Sequence, residues 1–235
     1  MDTILYVTPL LIQGAGLTII ITATSVAIGC VLGLIAGLAR LSGNAVFRAL
    51  GTGYIDFFRG TPLLVQIFLV FFGIPGLITE VQNWAMASWG IEPLIKDPNL
   101  PILWAAITAC SLNSGAYIGE IFRAGVQSIE RGQMEAARSL GMSHWQAMQY
   151  VILPQAFKRI IPPLGNEFIA MLKDTALLSA IGVEELARKG QLLNADMFAP
   201  FEIWISVAFL YLLMTLTFSR LVDALERRLR TGDRG

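Results

Sequence analysis

The sequence predicts an all-α integral membrane protein with five transmembrane helices, its N-terminus outside and its C-terminus in the cytoplasm. Three observations carry this. Only 14% of the 235 residues are charged and 55% are hydrophobic, with mean hydropathy +0.63, whereas soluble domains carry about 25% charge. The charges are clustered: 3–39, 60–79, 98–119 and 203–219 contain no Asp, Glu, Lys or Arg. The basic residues also concentrate on alternate connecting segments. This composition excludes a soluble enzyme, a disordered tail and a secreted disulfide scaffold. Five spans of about 20 residues each with their connections use up the chain, so 1–235 reads as one transmembrane domain.

The first span is expected within about 12–39. Gly14, Gly16, Gly29, Gly33 and Gly37 are scattered through it, and small residues let helix backbones approach closely. Only Asp2 precedes the run in place of a basic leader region, so it is expected to be a retained span. The second span runs about 61–79, with Thr61-Pro62 as N-cap followed by a proline at the first helical position. The third covers about 101–122. The fourth, about 162–183, is interrupted by Glu167, Lys173 and Asp174. The fifth is about 201–219. Cys30 and Cys110 lie inside apolar runs without ligand spacing and read as small buried hydrophobes.

Five spans put the termini on opposite sides, and the basic residues say which is which. Segments 40–59, 123–159 and 220–235 hold 13 of the 17 Lys and Arg. By the positive-inside rule these are cytoplasmic. The zero formal net charge gives no pointer to nucleic acid. The outward stretches 76–101 and 184–200 are polar and proline-bearing, with Trp84 and Trp89 at interfacial depth.

The longest inward segment has its own organisation. Good helix formers run over 133–140, and Gly141 supplies a stop. Ser143 with Gln146 three residues on is a capping-box pattern. A second short helix therefore starts at Ser143, puts Trp145, Met148, Val151 and Ile152 on one side, and ends at Pro154. Two short helices joined at a glycine make a rigid knob over about 128–157. His144, the single histidine, is expected at its surface rather than on a metal.

These residues carry a resemblance. Glu135-Ala136-Ala137, then Gly141, then Val151-x-Leu153-Pro154 resemble the EAA loop of binding-protein-dependent ABC importer permeases, although the family more often has Ile where Val151 stands. Arg59-Gly60-Thr61-Pro62-Leu63, Asn113-Ser114-Gly115-Ala116-Tyr117 and Lys173-Asp174-Thr175 are similar to the polar amino-acid subfamily. The resemblance covers nearly the whole chain. It implies a type I importer core in a bacterial inner membrane, paired with a second permease subunit, either itself or a paralogue. It implies that Glu135, Ala136, Ala137, Gly141, Leu153 and Pro154 form a coupling helix docked on a cytoplasmic ATPase, the small residues letting it seat closely. It implies an extracytoplasmic solute-binding protein that meets the outward stretches. No G-x-x-x-x-G-K-[ST] occurs in the sequence, so the chain is expected not to hydrolyse ATP; ATP with Mg would be bound by the partner, and the chain itself is expected to need no cofactor or metal.

Ionisable groups within spans usually face a protein interior or a water-filled cavity. Asn113, Tyr117 and Glu120 share one face of the third span. On the fourth, Asn166 aligns with Lys173 and Glu167 with Asp174. One reading makes Asn113, Tyr117, Glu120, Asn166 and Glu167 a pathway for a small amino acid: carboxylates for its α-ammonium, amide and hydroxyl donors for its α-carboxylate. The other makes them interhelical glue, with Glu120 and Glu167 reaching the interface to pair with Arg123 or Arg159. Lys173 and Asp174 are expected to form an intramembrane ion pair that stabilises one gate state. Gln66 is expected to bond a neighbouring helix. Two rivals remain: an ABC permease for methionine, a metal or an osmolyte, and a self-sufficient secondary carrier, which would purify without an ATPase.

Overall fold

The structure is a computed structural model describing residues 2–230, and every regular element among the described residues is a helix. Helix α1 (Asp2–Leu41) has 40 residues, about 60 Å at 1.5 Å per residue, twice the hydrocarbon thickness of about 30 Å. The extra length is used in packing. Val7 and Leu11 are fully buried in a cluster with Leu186, Leu193, Ile203 and Val207. Further along, α1 lies directly on helix α4 (Ile102–Gln127). A Cβ placed on Gly33 would sit 2.8 Å from both the Gly115 carbonyl oxygen and the Gly119 nitrogen. The expected role of small residues in close helix contact is met here, with the two helices running in the same direction.

Helix α2 (Ala45–Gly60) departs from expectation. Segment 40–59 reads as an inward connector, yet α2 is capped by the Asn44 side chain on Val46 N–H and climbs along α1 and α4. Gly51 abuts Ala36 and Arg40, and Ile55 meets Gly119. The Tyr54 hydroxyl donates to the Leu112 carbonyl at 2.7 Å. The chain then breaks at 61–62 and resumes as α3 (Leu63–Trp89). Thr61 is therefore not the cap that opens α3. Its hydroxyl donates back to the Phe57 carbonyl at 2.8 Å, and Pro62 holds the N-cap position without a side-chain cap. α3 carries a π-helical turn at Leu69–Gly73 and continues to Trp89 rather than stopping near 79. Much of the expected polar connector 76–101 is thus helical. Gly90, at φ +65°, ends it, and Gln82 folds the following strand of chain back by pairing with both backbone groups of Ile95.

Helix α5 (Arg131–Ser139) is followed by α6 over 144–174. The latter comprises a first turn His144–Ala147, a π-helical turn Met148–Ile152 and a long stretch Leu153–Asp174. Pro154 does not end a loop helix. The π-helical turn ahead of it accommodates its missing N–H, and the helix runs on through Pro162 and Pro163. A 3₁₀ segment, Thr175–Ile181, extends it to Gly182, and then come α7 (Leu186–Met197) and α8 (Pro200–Arg230). Among the described residues four helices are long and apolar enough to cross a membrane: Tyr6–Leu41, Leu63–Trp89, Ile102–Gln127 and Pro200–Arg228. α6 is not one of them, because Lys158, Arg159, Glu167, Lys173 and Asp174 dilute its apolar character. It is nonetheless enclosed: Met171 and Leu178 join Ile21, Val70, Ala106 and Cys110 in the central core. Cys110 is buried, Cys30 half-buried, and both are free.

Candidate functional site

The break between α2 and α3 opens onto a cavity of about 400 Å³. Its walls are Thr61, Pro62 and Leu63 at the break, Asn113 and Tyr117 on α4, and Glu167, Ala170, Asp174 and Leu177 on α6 and its 3₁₀ extension. Irregular backbone at membrane depth is tolerated where it lines a cavity and its polar groups find partners. Gln66 supplies them. Its amide nitrogen donates to the Phe58 and Thr61 carbonyls at 2.8 and 3.0 Å and to the Thr61 hydroxyl at 2.9 Å. Its carbonyl oxygen accepts from Asn113 Nδ2 at 2.9 Å. Glu167 accepts the Ser114 hydroxyl at 2.9 Å.

Of the residues singled out in the sequence, Asn113, Tyr117, Glu167 and Asp174 come together here. Asn166 is exposed and outside the lining. Lys173 is also exposed, and among the described residues no ion-pair contact joins it to Asp174. The expected gate pair is not formed as a direct contact: both residues are exposed, and Asp174 faces the cavity. Thr61, Pro62, Leu63, Ala170 and Leu177 line the cavity and were not singled out as lining residues. The Thr61-Pro62 dipeptide was the available signal, since a helix stop and a helix start overlap there.

Glu120 lies elsewhere, at the centre of an ion cluster. Arg40 Nη1 reaches it at 3.0 Å, Arg59 at 3.8 Å, and Arg123 donates through Nε at 2.9 Å and pairs again through Nη2. Arg40 also pairs with Asp56 at 3.5 Å. This joins α1, α2 and α4. Of the two readings of Glu120, pairing with Arg123 is the one realised, with two further arginines that the sequence order conceals. Arg59 also stacks on the Tyr117 ring at 5.5 Å from its centroid.

A second buried carboxylate, Glu185, caps α7 through the Ala187 and Arg188 N–H groups at 3.0 and 2.8 Å. It also accepts from Tyr211 of α8 at 2.8 Å and Thr18 of α1 at 3.4 Å. Burial pushes its carboxyl above the usual range, against the pull of these donors. The expected connector 184–200 is thus a helix pinned to two others.

The knob at the far end of α4 forms as its local signals dictate. α5 closes with Gly141 at φ +85°, Gly141 N–H donating to the Arg138 carbonyl at 3.0 Å and Met142 N–H to that of Ala137 at 3.2 Å, a Schellman motif. Ser143 and Gln146 form the reciprocal capping box. Glu135, Ala136, Gly141 and Pro154 are exposed, Leu153 is half-buried and Ala137 is buried. The apolar residues of the second helix do not share one covered side: Ile152 is buried, whereas Trp145 is 70% exposed and Leu140, beside Gly141, 81%.

A helical bundle with a broken helix at a polar cavity and a structured knob defines an integral membrane component. Residues 29–231 match the family described as "Binding-protein-dependent transport system inner membrane component", and the chain belongs to that family. It is 41% identical over 222 residues to the glutamine transport system permease protein GlnP of Escherichia coli (strain K12), covering 94% of each chain. It is 34% identical over 225 residues to the arginine transport system permease protein ArtQ of Bacillus subtilis (strain 168), covering 96% of this chain and 94% of that one. A solved structure described as an amino acid ABC transporter with histidines matches with TM-score 0.81 and 42% identity over 94% of each chain. Membership makes the chain an inner-membrane ABC transporter component without an ATPase site of its own, working with ATPase and solute-binding partners.

Proposed function

We propose that this chain is the permease subunit of an ATP-driven, binding-protein-dependent importer of polar amino acids. The observation that carries the reading is convergence: segments 59–63, 113–117 and 173–175, far apart in sequence, meet at one polar cavity at a helix break. Half-helix ends at such breaks are suited to holding small charged solutes. Relatives named for glutamine and arginine transport support the substrate class. In this reading α6 is the fourth of five spans, and the N-terminus is outside and the C-terminus inside, an orientation that the distribution of Lys and Arg supports. The cavity is the pathway, with Asn113, Tyr117, Glu167 and Asp174 meeting the solute. The knob, through Glu135, Ala136, Ala137, Gly141, Leu153 and Pro154, seats on an ATPase subunit that binds ATP with Mg. The exposed Leu140 and Trp145 are supporting evidence for a docking face. A second permease subunit, a copy or a paralogue, completes the pathway, and the spans alternate between outward and inward access.

The test is reconstitution of the permease with its co-purified ATPase and its binding protein in liposomes. Amino-acid uptake and hydrolysis that both depend on ATP and on the loaded binding protein are expected. Uptake that needs no ATPase would establish a secondary carrier instead. Uptake of a metal or osmolyte alone would move the chain to another importer class.

A further inference from the structure

We propose that the groove between α1 and α2 binds an anionic phospholipid, with an acyl chain in the groove and the headgroup phosphate on Arg48. The groove encloses about 300 Å³. Small residues make its floor: Ala36 and Ala39 on α1 and Gly51 on α2. They draw the two backbones together, since a Cβ on Gly51 would stand 2.8 Å from the Ala36 carbonyl oxygen and 3.0 Å from the Ala39 Cβ. Ile35 on α1 and Phe47 and Leu50 on α2 rise beside that floor and are exposed. Tyr54 brings the only polar side chain of the lining, and its hydroxyl donates to the Leu112 carbonyl. The groove follows 32–39 on one helix and 47–54 on the other, about 10 Å of each. A hydrocarbon chain fits such a slot, whereas an irregular peptide segment would find no partners there for its backbone N–H and C=O groups.

The charge at the mouth of the groove selects the headgroup. From residue 3 to residue 55 the sequence has no Asp or Glu, and its two cations are Arg40 and Arg48. Arg40 is held by Glu120 and Asp56. Arg48 follows Phe47 of the groove wall and is exposed, and among the described residues no carboxylate is in ion-pair contact with it. Its Nη1 donates to the Ser42 carbonyl at 3.4 Å. That contact places the guanidinium at the turn that follows the apolar span Tyr6–Leu41, the level of lipid headgroups. The remaining N–H donors of the fork suit a phosphate, which guanidinium groups bind bidentately. In the orientation proposed above this is the cytoplasmic leaflet, where basic residues attract anionic lipids. A zwitterionic headgroup carries its own ammonium and gains less from Arg48. A lipid seated there braces the pair of helices that leads into the break at 61–62.

The protein, purified in detergent with its co-purifying subunits and stripped of lipid, is incubated with mixed micelles of phosphatidylglycerol or phosphatidylethanolamine. Lipid retained per complex is counted by native mass spectrometry, a readout independent of which solute is transported. Phosphatidylglycerol should be retained at least fivefold more than phosphatidylethanolamine. Arg48→Gln should abolish that preference and Arg48→Lys should keep most of it. Leu50→Gln, at an exposed wall position, should lower phosphatidylglycerol retention at least threefold without changing subunit assembly. Equal retention of the two lipids, or an undiminished preference in Arg48→Gln, would overturn the headgroup site. Unchanged retention in Leu50→Gln, or displacement of the lipid by an equal concentration of glycerol 3-phosphate, would overturn the acyl-chain groove. Cross-linking of Leu50→Cys between two permease subunits would assign the groove to a subunit interface and overturn the lipid proposal.

Discussion

Asn113 donates its side-chain amide to the Gln66 carbonyl oxygen across 2.9 Å, and this bond ties the broken helix to α4 at the wall of the cavity. The other end of Gln66 closes the frayed end of α2 by donating to Phe58 and Thr61. One buried carboxamide therefore satisfies groups on both sides of the site and fixes the width of the gap between them.

Gln66→Ala should be costly for that reason. It strands buried groups on α2 and on Asn113, each worth about 1–3 kcal/mol when left unpaired. The detergent-solubilised protein is expected to melt several degrees lower. Equal melting curves for wild type and Gln66→Ala would refute the capping role.

The α1–α4 contact makes opposite demands on two glycines of one helix. Gly33→Ala drives a Cβ into the α4 backbone at 2.8 Å, and overpacking of this kind costs about 1–3 kcal/mol. At Gly16 nothing lies within 4 Å of an added Cβ, so Gly16→Ala should be neutral or stabilising by about 0.5–1 kcal/mol. Thermal unfolding of the two variants side by side checks the pair.

Glu120 is a structural centre, so Glu120→Gln should lower stability as well as transport. The charge-assisted bonds it accepts are worth about 1.5–3 kcal/mol each, and its removal leaves Arg40, Arg59 and Arg123 facing one another. The double variant Glu120→Gln/Arg123→Gln should be less destabilised than the sum of the singles. Strict additivity in a double-mutant cycle would show that the cluster contributes no coupling.

Gly141 takes a left-handed conformation in open space, so strain rather than collision decides what replaces it. A β-branched residue is the worst case, at roughly 1–2 kcal/mol or more, whereas Asn tolerates this region. Gly141→Val should reach the membrane at near-normal levels yet lose binding-protein-stimulated hydrolysis in the assembled complex, and Gly141→Asn should retain most of it. Normal stimulation in Gly141→Val would dismiss the knob as the coupling element.

Local chemistry made much of this fold legible. A run of residues either has enough apolar character to enter a bilayer or does not, so α1, α3, α4 and α8 stand out without any partner. The glycine stop at 141 and the capping box at 143–146 were equally plain, because each is made by residues within a few positions of one another. Proline was harder to read. Pro62 stands beside a break inside a spanning path and Pro154 beside a π-helical turn that carries the helix onward, and the two look alike until the surrounding backbone bonds are known.

By itself the sequence determined the membrane class, the apolar runs, the knob and the identity of the polar groups available at membrane depth, since composition and short-range spacing suffice for each. Only the tertiary structure decided what each polar group does. Glu120 and Glu167 are both carboxylates on helices of the bundle. One is gripped by arginines from α1, α2 and its own helix, and the other faces a cavity with a serine hydroxyl as its partner. That difference depends on which side chains arrive from 50 to 80 positions away, and a charge's environment is a property of what surrounds it in space.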